Sequence, residues 1–248
     1  PWAKHVAMMY RVPQLLVKFM EVIDRFMAKR ASWVTAASTG LAKEFETFRS
    51  DITIIPNYPL RNFIQNIARD LKKELNIAPK RKVVIFVGKL SVVEGTDLLP
   101  SVAESIKDLN AELWIIGDGP ARGIVEKMKR KYASTVRWFG WVPYKKVPEY
   151  IAAADIGLVP HHKTPFSIYY SYEGIQKIAE YFALGKPVIA SGIAPSPYYL
   201  VVEPEKLGET VAKALRGEIR LPKPPKLYWE DFSAPKVLKI VCKLLKIE

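Results

Sequence analysis

Cysteine, histidine and long apolar runs are scarce in this sequence. Cys242 is the single cysteine, so one chain cannot form an internal disulfide, which favours a reducing, cytoplasmic setting. No apolar stretch approaches the roughly 20 residues that a membrane-spanning helix needs. Two of the three histidines are the adjacent His161 and His162. Adjacent side chains of an extended chain point to opposite sides, so we predict no metal site from them.

Glutamine is also rare, which fits a heat-adapted source, whereas positive charge is abundant. The net charge is +13 and the isoelectric point is about 9.6, values that indicate anionic partners such as nucleic acid, anionic lipid or phosphorylated metabolites. Many basic residues alternate with acids in helical stretches such as 67–75 and 125–132, as on solvated helix faces. No nucleic-acid-binding module is recognisable, so we do not expect nucleic acid as a partner.

Short apolar runs alternate with amphipathic segments of helical length. The runs predict strands at 34–38, 52–57, 82–88, 112–117, 135–140, 155–160 and 186–191. Continuous apolar strands separated by helices predict an α/β fold, a Rossmann-like doubly wound parallel sheet covered on both faces. Ligands of such sheets bind where the strands end. The loops to inspect are therefore 88–96, 117–121, 140–146, 160–174 and 191–197.

Three further segments indicate how the chain is organised. Residues 56–63 contain two prolines after a strand and are typical of an interdomain connection. Residues 221–226 are rich in proline and cannot lie inside a helix or a central strand. Residues 9–30 predict an amphipathic helix. Its apolar side is expected to pack on a neighbouring strand, and the alternative is that it lies on a membrane surface.

Two strand ends carry candidate ligand-binding residues. Gly88 and Lys89 follow the strand 82–88, where a glycine lets the backbone approach a ligand and an ammonium can reach a diphosphate. The same pattern is also found where a strand ends beside a solvated lysine. Glu94 in this loop would repel an anion at close range. Trp141 and Val142 follow another strand end and could hold a flat nucleobase or simply pack as a loop.

A third group of candidates precedes the strand at 186–191. Glu173, Lys177 and Glu180 are spaced by four and three residues, which predicts one face of one helix near its amino end. The helix is largely apolar. A carboxylate such as Glu180 is costly on a buried helix unless something binds to it. The two hydroxyls of a ribose would suit this carboxylate.

Together these segments resemble the GT-B glycosyltransferases, in particular the retaining family four, also called glycosyltransferase group 1. The resemblance covers roughly residues 32–248. The segments that carry it, in order, are VGKLSVVEGTDLL, LWIIGDGP, VRWFGWVPYKKVPEYIAAADIGLVP, KIAEYFALGKPVIAS and SAPKVLKIVCKLL.

The resemblance implies a division of the chain into three parts. Residues 1–60 correspond to the tail of an amino-terminal, acceptor-side domain, and residues 61–232 to the carboxyl-terminal donor-binding domain. Residues 233–248 correspond to a helix that crosses back to the first domain. We therefore expect this chain to be part of a longer protein and inactive by itself, located in the cytoplasm or at the cytoplasmic face of a membrane.

The resemblance also implies an activity. A hexosyl group would pass, with retention, from a nucleoside diphosphate sugar to an acceptor that is a saccharide or lipid-linked. No metal cofactor would be needed, since basic side chains and helix amino ends stabilise the leaving diphosphate. Two alternatives stay open. One is a catalytically inactive relative that serves as a binding or assembly module, and the other is a sugar-nucleotide epimerase.

Residue by residue, Lys89 stands where the family has an arginine on the diphosphate, with Gly88 beside it. Glu180 stands where a glutamate bonds the ribose, and Trp141–Val142 where the base rests. Lys177 matches a lysine of one branch of the family and would hold phosphate or brace Glu180. Lys89 and Glu173 are the catalytic candidates.

Two positions depart from the family pattern. Glu94 replaces a lysine that usually touches the phosphates. The first glutamate of the family's paired motif falls on Tyr172 by strict counting, so Glu173 is one residue away from the expected place.

Overall fold

The computed structural model of the protein describes residues 12–65, 67 and 70–246. Strands and α-helices alternate along most of this part of the chain. The strands are β1 (Val34–Ala36), β2 (Ile52–Ile54), β3 (Lys82–Val87), β4 (Ala111–Ile116), β5 (Val136–Trp138), β6 (Ile156–Pro160), β7 (Val188–Ser191) and β8 (Leu200–Val202). The helices are α1 (Gln14–Arg30), α2 (Thr39–Phe45), α3 (Leu71–Glu74), α4 (Leu99–Ile106), α5 (Arg122–Lys131), α6 (Val147–Ala153), α7 (Gln176–Ala183), α8 (Leu207–Leu215), α9 (Trp229–Phe232) and α10 (Ala234–Leu245).

The larger sheet has six parallel strands in the order β5-β4-β3-β6-β7-β8. Chain order runs outward from β3 to one side and then from β6 to the other, which is the strand order of doubly wound folds. The predicted Rossmann-like fold class is therefore confirmed. The direction reverses between β3 and β6, so the loops after these two strands flank the crevice where such folds bind ligands.

Both faces of this sheet are covered by apolar side chains. Along β3, Val83 and Ile85 point into the layer formed with α7, whereas Val84 and Phe86 point into the layer formed with α4 and α5. All four side chains are fully buried. This burial on both sides explains why the strands have continuous apolar sequences rather than alternating ones.

The smaller sheet consists of β1 and β2, which pair in parallel. The carboxyl-terminal helix α10 lies against this part of the chain. Lys236 donates a hydrogen bond of 2.8 Å to the carbonyl of Ile54, and the Lys243 ammonium lies 5.0 Å from the Trp33 ring centroid. The exact boundaries of the three parts of the chain stay a prediction.

The surroundings of helix α1 differ from those predicted. Its apolar side does not pack on a strand, since Leu15, Phe19 and Val22 are 82%, 61% and 64% exposed. The helix is instead attached through its carboxyl end, where Arg49 donates hydrogen bonds to the carbonyls of Ala28 and Ala31. The predicted helical residues before position 12 lie outside the described residues. None of the helices in the described ranges is long and apolar enough to cross a membrane.

Candidate functional site

The loops that follow β3, β4 and β5 are joined to one another at the carboxyl edge of the large sheet. The amide of Leu90 donates to the carbonyl of Asp118 at 3.0 Å, and the amide of Gly117 donates to the carbonyl of Gly140 at 2.7 Å. The indole of Trp138 donates to the carbonyl of Gly117 at 2.9 Å. Three loops predicted to carry a ligand thus form one continuous surface.

The loop after β3 also packs directly on the end of β6. Gly95 has a φ of 71°, and a side chain there would place its Cβ 1.3 Å from the carbonyl oxygen of Pro160. Only glycine fits, because both the backbone conformation and the close approach exclude a Cβ. A 3-10 turn over Thr96–Leu98 then leads into α4.

An ion pair lies in the crevice between these two strand ends. Lys177, on α7, places its ammonium 2.5 Å from the carboxylate of Glu94, and these side chains are 12% and 30% exposed. The same ammonium lies 4.9 Å from the ring centroid of Phe86. It also closely approaches Gly88, where an added Cβ would be 2.8 Å away. The structure therefore brings Gly88 and Lys177 together. The carboxylate of Glu94, in the loop after β3, pairs with Lys177 of helix α7.

The protonation of Glu94 follows from its surroundings. Burial acts to raise the pKa of its carboxyl, but the charge and hydrogen bond of Lys177 outweigh this effect and hold the pKa below the ordinary value. His161, whose Nε2 is 3.8 Å from the same carboxylate oxygen, acts in the same direction. Glu94 is thus ionised at neutral pH and faces Lys177 rather than turning away from the site.

Glu180 is 5% exposed and lies on α7, as predicted. One of its oxygens, Oε1, accepts hydrogen bonds from the hydroxyl of Tyr144 at 3.0 Å and from the amide of Gln176 at 2.9 Å. The other, Oε2, receives no hydrogen bond from the residues that the structure describes. Burial raises the pKa of Glu180, although the two hydrogen bonds partly offset this.

Sequence reasoning missed Tyr144 and Gln176 as partners of Glu180. Gln176 lies four residues before Glu180, a spacing at which helical side chains meet, so a search for such pairs could have found it. Tyr144 comes from the loop after β5, and no sequence signal links it to α7. Its contact joins to α7 the loop that also carries Trp141 and Val142.

Glu173 does not lie on α7, so the prediction that it shares a helix face with Lys177 and Glu180 is wrong. The helix begins only at Gln176. Glu173 lies in the preceding turn, where its carboxylate accepts hydrogen bonds from the amide and the hydroxyl of Thr39 at 2.7 and 3.0 Å. Because Thr39 is the first residue of α2, the carboxylate is also favoured by the helix dipole.

Lys89 and Trp141 project into solvent. Trp141 is 72% exposed. Lys89 is exposed and makes no hydrogen bond or ion pair with the described part of the chain. Val142 is only partly buried and packs against the core layer that contains α7. The loop after β3 thus presents an exposed cation, and the loop after β5 an exposed aromatic ring, at the carboxyl edge of the large sheet.

Tyr172 occupies the place where the family pattern expects a glutamate, and it is an apolar packing residue here. Its ring stacks on that of Tyr58, with centroids 6.4 Å apart, and meets Tyr198 edge to face at 5.5 Å. The position is therefore filled by an aromatic cluster and offers no carboxylate.

The two adjacent histidines contact different acids. His162 lies 2.8 Å from Asp97, whereas His161 is directed towards Glu94. Within the ranges that the structure describes, no three histidine, cysteine, aspartate or glutamate side chains are grouped as metal ligands would be.

Comparison with known proteins places this chain in a family. A family profile described as Glycosyl transferases group 1 matches residues 81–216, more than half of the chain. The N-acetyl-alpha-D-glucosaminyl L-malate synthase of Bacillus anthracis is 24% identical over 178 residues, which are 70% of this chain and 45% of that protein. This chain spans about half the length of the curated relatives that it matches.

Solved structures show the same fold. Sucrose-phosphate synthase of Thermosynechococcus elongatus superimposes with a TM-score of 0.63 at 18% identity, covering 92% of this chain and 62% of that one. Anabaena HepE in complex with UDP and glucose gives a TM-score of 0.59 at 19% identity, covering 79% of this chain and 57% of that one. By its profile match, its strand order and this fold, the chain belongs to the group 1 glycosyl transferases, which are GT-B proteins.

Proposed function

We propose that this chain is the nucleotide-sugar-binding part of a retaining glycosyltransferase, which moves a hexosyl group from a nucleoside diphosphate sugar to a saccharide or lipid-linked acceptor. One observation carries the proposal. In a group 1 family member, Lys177 and Gly88 meet at the point where the strand order reverses, and Lys89 follows directly. Basic side chains, together with a glycine backbone that a ligand can approach closely, suit a diphosphate at this place.

Each part of the donor has a proposed position. The diphosphate lies against Gly88, Lys89 and Lys177. The ribose bonds to Glu180, whose Oε2 is left without a partner among the described residues. The base rests on the exposed Trp141 and on Val142. Structural neighbours solved with UDP and with UDP-glucose support a donor of this class.

The proposed chemistry uses the same cations. As the bond between the anomeric carbon and the diphosphate oxygen breaks and a hydroxyl oxygen of the acceptor bonds to that carbon, negative charge grows on the leaving diphosphate, which takes up the proton of that hydroxyl. The ammonium groups of Lys89 and Lys177 stabilise this charge, which lowers the barrier without a metal cofactor. Glu173 is a further proposed catalytic residue. Its carboxylate is positioned by Thr39, between the large sheet and the part of the chain that contains β1 and β2.

The test is a calorimetric titration with UDP-, GDP- and ADP-sugars, with and without EDTA. We expect saturable binding by at least one of them and no effect of EDTA. No measurable binding by any of the three would refute the donor site, and loss of binding in EDTA would refute metal independence.

A second candidate function is that of a non-catalytic binding module. It is favoured by Glu94, which faces the proposed diphosphate site, and by Tyr172, which replaces a family glutamate with a packed ring. The two candidates differ in turnover. Release of the nucleoside diphosphate from a bound sugar nucleotide by the full-length protein would exclude the binding module.

A further inference from the structure

The ammonium that the proposed function assigns to the diphosphate already has an anion bound to it. Lys177 is largely buried, and its position is fixed between the Phe86 ring, the backbone at Gly88 and the Glu94 carboxylate. A diphosphate that approaches Lys177 therefore meets the negative charge of Glu94 at contact distance. The two anions repel each other strongly in a partly buried crevice.

We propose that Glu94 is an internal counter-ion that the incoming diphosphate displaces from Lys177, and that donor binding is therefore coupled to uptake of a proton by Glu94. This inference rests on the proposed function and deepens it. It assigns to Glu94 a role in setting donor affinity, whereas Lys177 holds the donor.

The groups around Glu94 determine the direction of the coupling. The titratable side chains that interact with it come from three parts of the fold: the loop after β3, the segment after β6 and helix α7. They are Lys89, His161, Tyr170, Lys177 and Tyr181. In the free protein the cations among them keep Glu94 ionised. When a diphosphate binds to Lys89 and Lys177, these two cations no longer stabilise the charge of Glu94. Its burial still disfavours that charge, so the pKa of its carboxyl rises.

The coupling has a measurable consequence. Glu94 binds more protons in the complex than in the free protein, so donor affinity increases as the pH falls between the free and the bound pKa. The limiting slope for one proton is about tenfold per pH unit. The donor itself does not contribute, because the diphosphate of a nucleotide sugar is esterified at both ends and has no titratable proton near neutral pH.

The experiment uses isothermal titration calorimetry with UDP-, GDP- and ADP-glucose at one slightly acidic pH, in two buffers that differ in ionisation enthalpy. Wild type is compared with Glu94→Gln, which removes the charge but keeps the shape. The matched control is Glu126→Gln, since Glu126 is also paired with a cation, Arg122, but on the surface of α5. We expect a buffer-dependent heat for wild type and for the control. We expect at least tenfold tighter, buffer-independent binding for Glu94→Gln.

Several outcomes would overturn the inference. Equal or weaker binding by Glu94→Gln would mean that Glu94 is neutral towards the donor or holds it directly. A buffer-independent heat for wild type would mean that no proton is taken up. If neither wild type nor Glu94→Gln binds any of the three nucleotide sugars, the proposed function fails, and the inference fails with it.

A second variant distinguishes an effect on donor binding from a folding defect. Glu94→Asp keeps the charge on a shorter side chain, so it should retain the buffer-dependent heat and gain less affinity than Glu94→Gln. Thermal melting adds an independent readout. Glu94→Gln leaves Lys177 without its carboxylate and should melt lower than wild type when free, yet it should show the larger rise in melting temperature with the nucleotide sugar. The same rise in both proteins would also overturn the inference.

Discussion

The hydroxyl of Tyr144 donates a hydrogen bond of 3.0 Å to the carboxylate of Glu180, joining the loop after β5 to helix α7. Tyr144 and Gln176 both use Oε1 of this carboxylate. The arrangement orients Glu180 and leaves Oε2 for a ligand that brings its own hydroxyl groups. The proposed function assigns this oxygen to a hydroxyl group of the ribose.

The first prediction concerns this carboxylate. Glu180→Gln should weaken binding of a nucleoside diphosphate by about 1.5–3 kcal/mol, because a hydrogen bond to a charged acceptor is lost. It should also reduce the preference for the ribose form over the 2′-deoxy form, measured as the ratio of the two dissociation constants. Tyr144→Phe, the control, keeps the carboxylate and should keep most of this preference. An unchanged ratio in Glu180→Gln would place the ribose elsewhere.

The second prediction concerns Lys89. Its ammonium makes no hydrogen bond with the described residues, so it is available for a diphosphate. Lys89→Ala should weaken nucleotide-sugar binding by about 1–3 kcal/mol, the scale of a charge-assisted hydrogen bond. Lys127→Ala removes another exposed charge, on α5, and should leave the affinity within about twofold. Equal affinities of wild type and Lys89→Ala in the titration would remove Lys89 from the site.

The fold was largely predictable because apolar runs determine which segments are buried. All seven predicted strands exist; six are shorter than predicted, and β4 has the predicted length but begins one residue earlier. The strand β8 was missed, because Leu200–Val202 is a half-buried edge segment of three residues that follows a proline-containing loop. The environment of α1 was not predictable either. Helical periodicity shows that one side is apolar but does not say what, if anything, packs on that side.

The site was less predictable because its contacts are long-range. Lys177 and Glu94 are 83 residues apart in the chain, and their pairing depends on how α7 and the loop after β3 meet. The error at Glu173 is local. A turn in which the amide of Gly174 bonds to the carbonyl of Ser171 precedes α7, and regular helical spacing cannot be extended through such a turn.

The third prediction tests packing between β3 and β6, at the point where the strand order reverses. A Cβ on Gly157 would lie 2.4 Å from the ring of Tyr181. That ring is fully buried, and its hydroxyl accepts a hydrogen bond of 3.1 Å from the amide of Val87. Because the ring has no room to move, Gly157→Ala should lower the free energy of unfolding by about 1–3 kcal/mol.

The control for Gly157→Ala is a substitution at a helical glycine with space around it. A Cβ on Gly123, in α5, meets no atom within 4 Å. Gly123→Ala should therefore stabilise the protein by up to about 1 kcal/mol, since alanine favours helix more than glycine does. Urea denaturation measures both changes. Equal stabilities of Gly157→Ala and wild type would show that α7 and β6 can separate at no cost.

The fourth prediction concerns Asp155, which holds the amino edge of the large sheet together. Its carboxylate accepts hydrogen bonds from Lys72 at 2.9 Å, Lys82 at 3.1 Å and the amide of Val83 at 2.9 Å. Burial acts to raise the pKa of Asp155, but these bonds outweigh it and the pKa lies below the ordinary value. Replacing this acceptor with an amide should cost about 1–3 kcal/mol at neutral pH.

The sign of the pH dependence follows from the lowered pKa. The unfolded chain binds a proton at Asp155 more readily than the folded protein does. The stabilisation is therefore complete above the unfolded pKa and is lost as the pH falls through the folded pKa, below about pH 5.

Glu180 acts in the opposite direction, because burial raises its pKa. The difference between wild type and Asp155→Asn cancels that contribution. We expect this difference in unfolding free energy to shrink in acid, whereas Asp108→Asn, at an exposed position, should stay within about 0.5 kcal/mol of wild type throughout. A difference that does not change with pH would mean that Asp155 stabilises the fold by shape and not by charge.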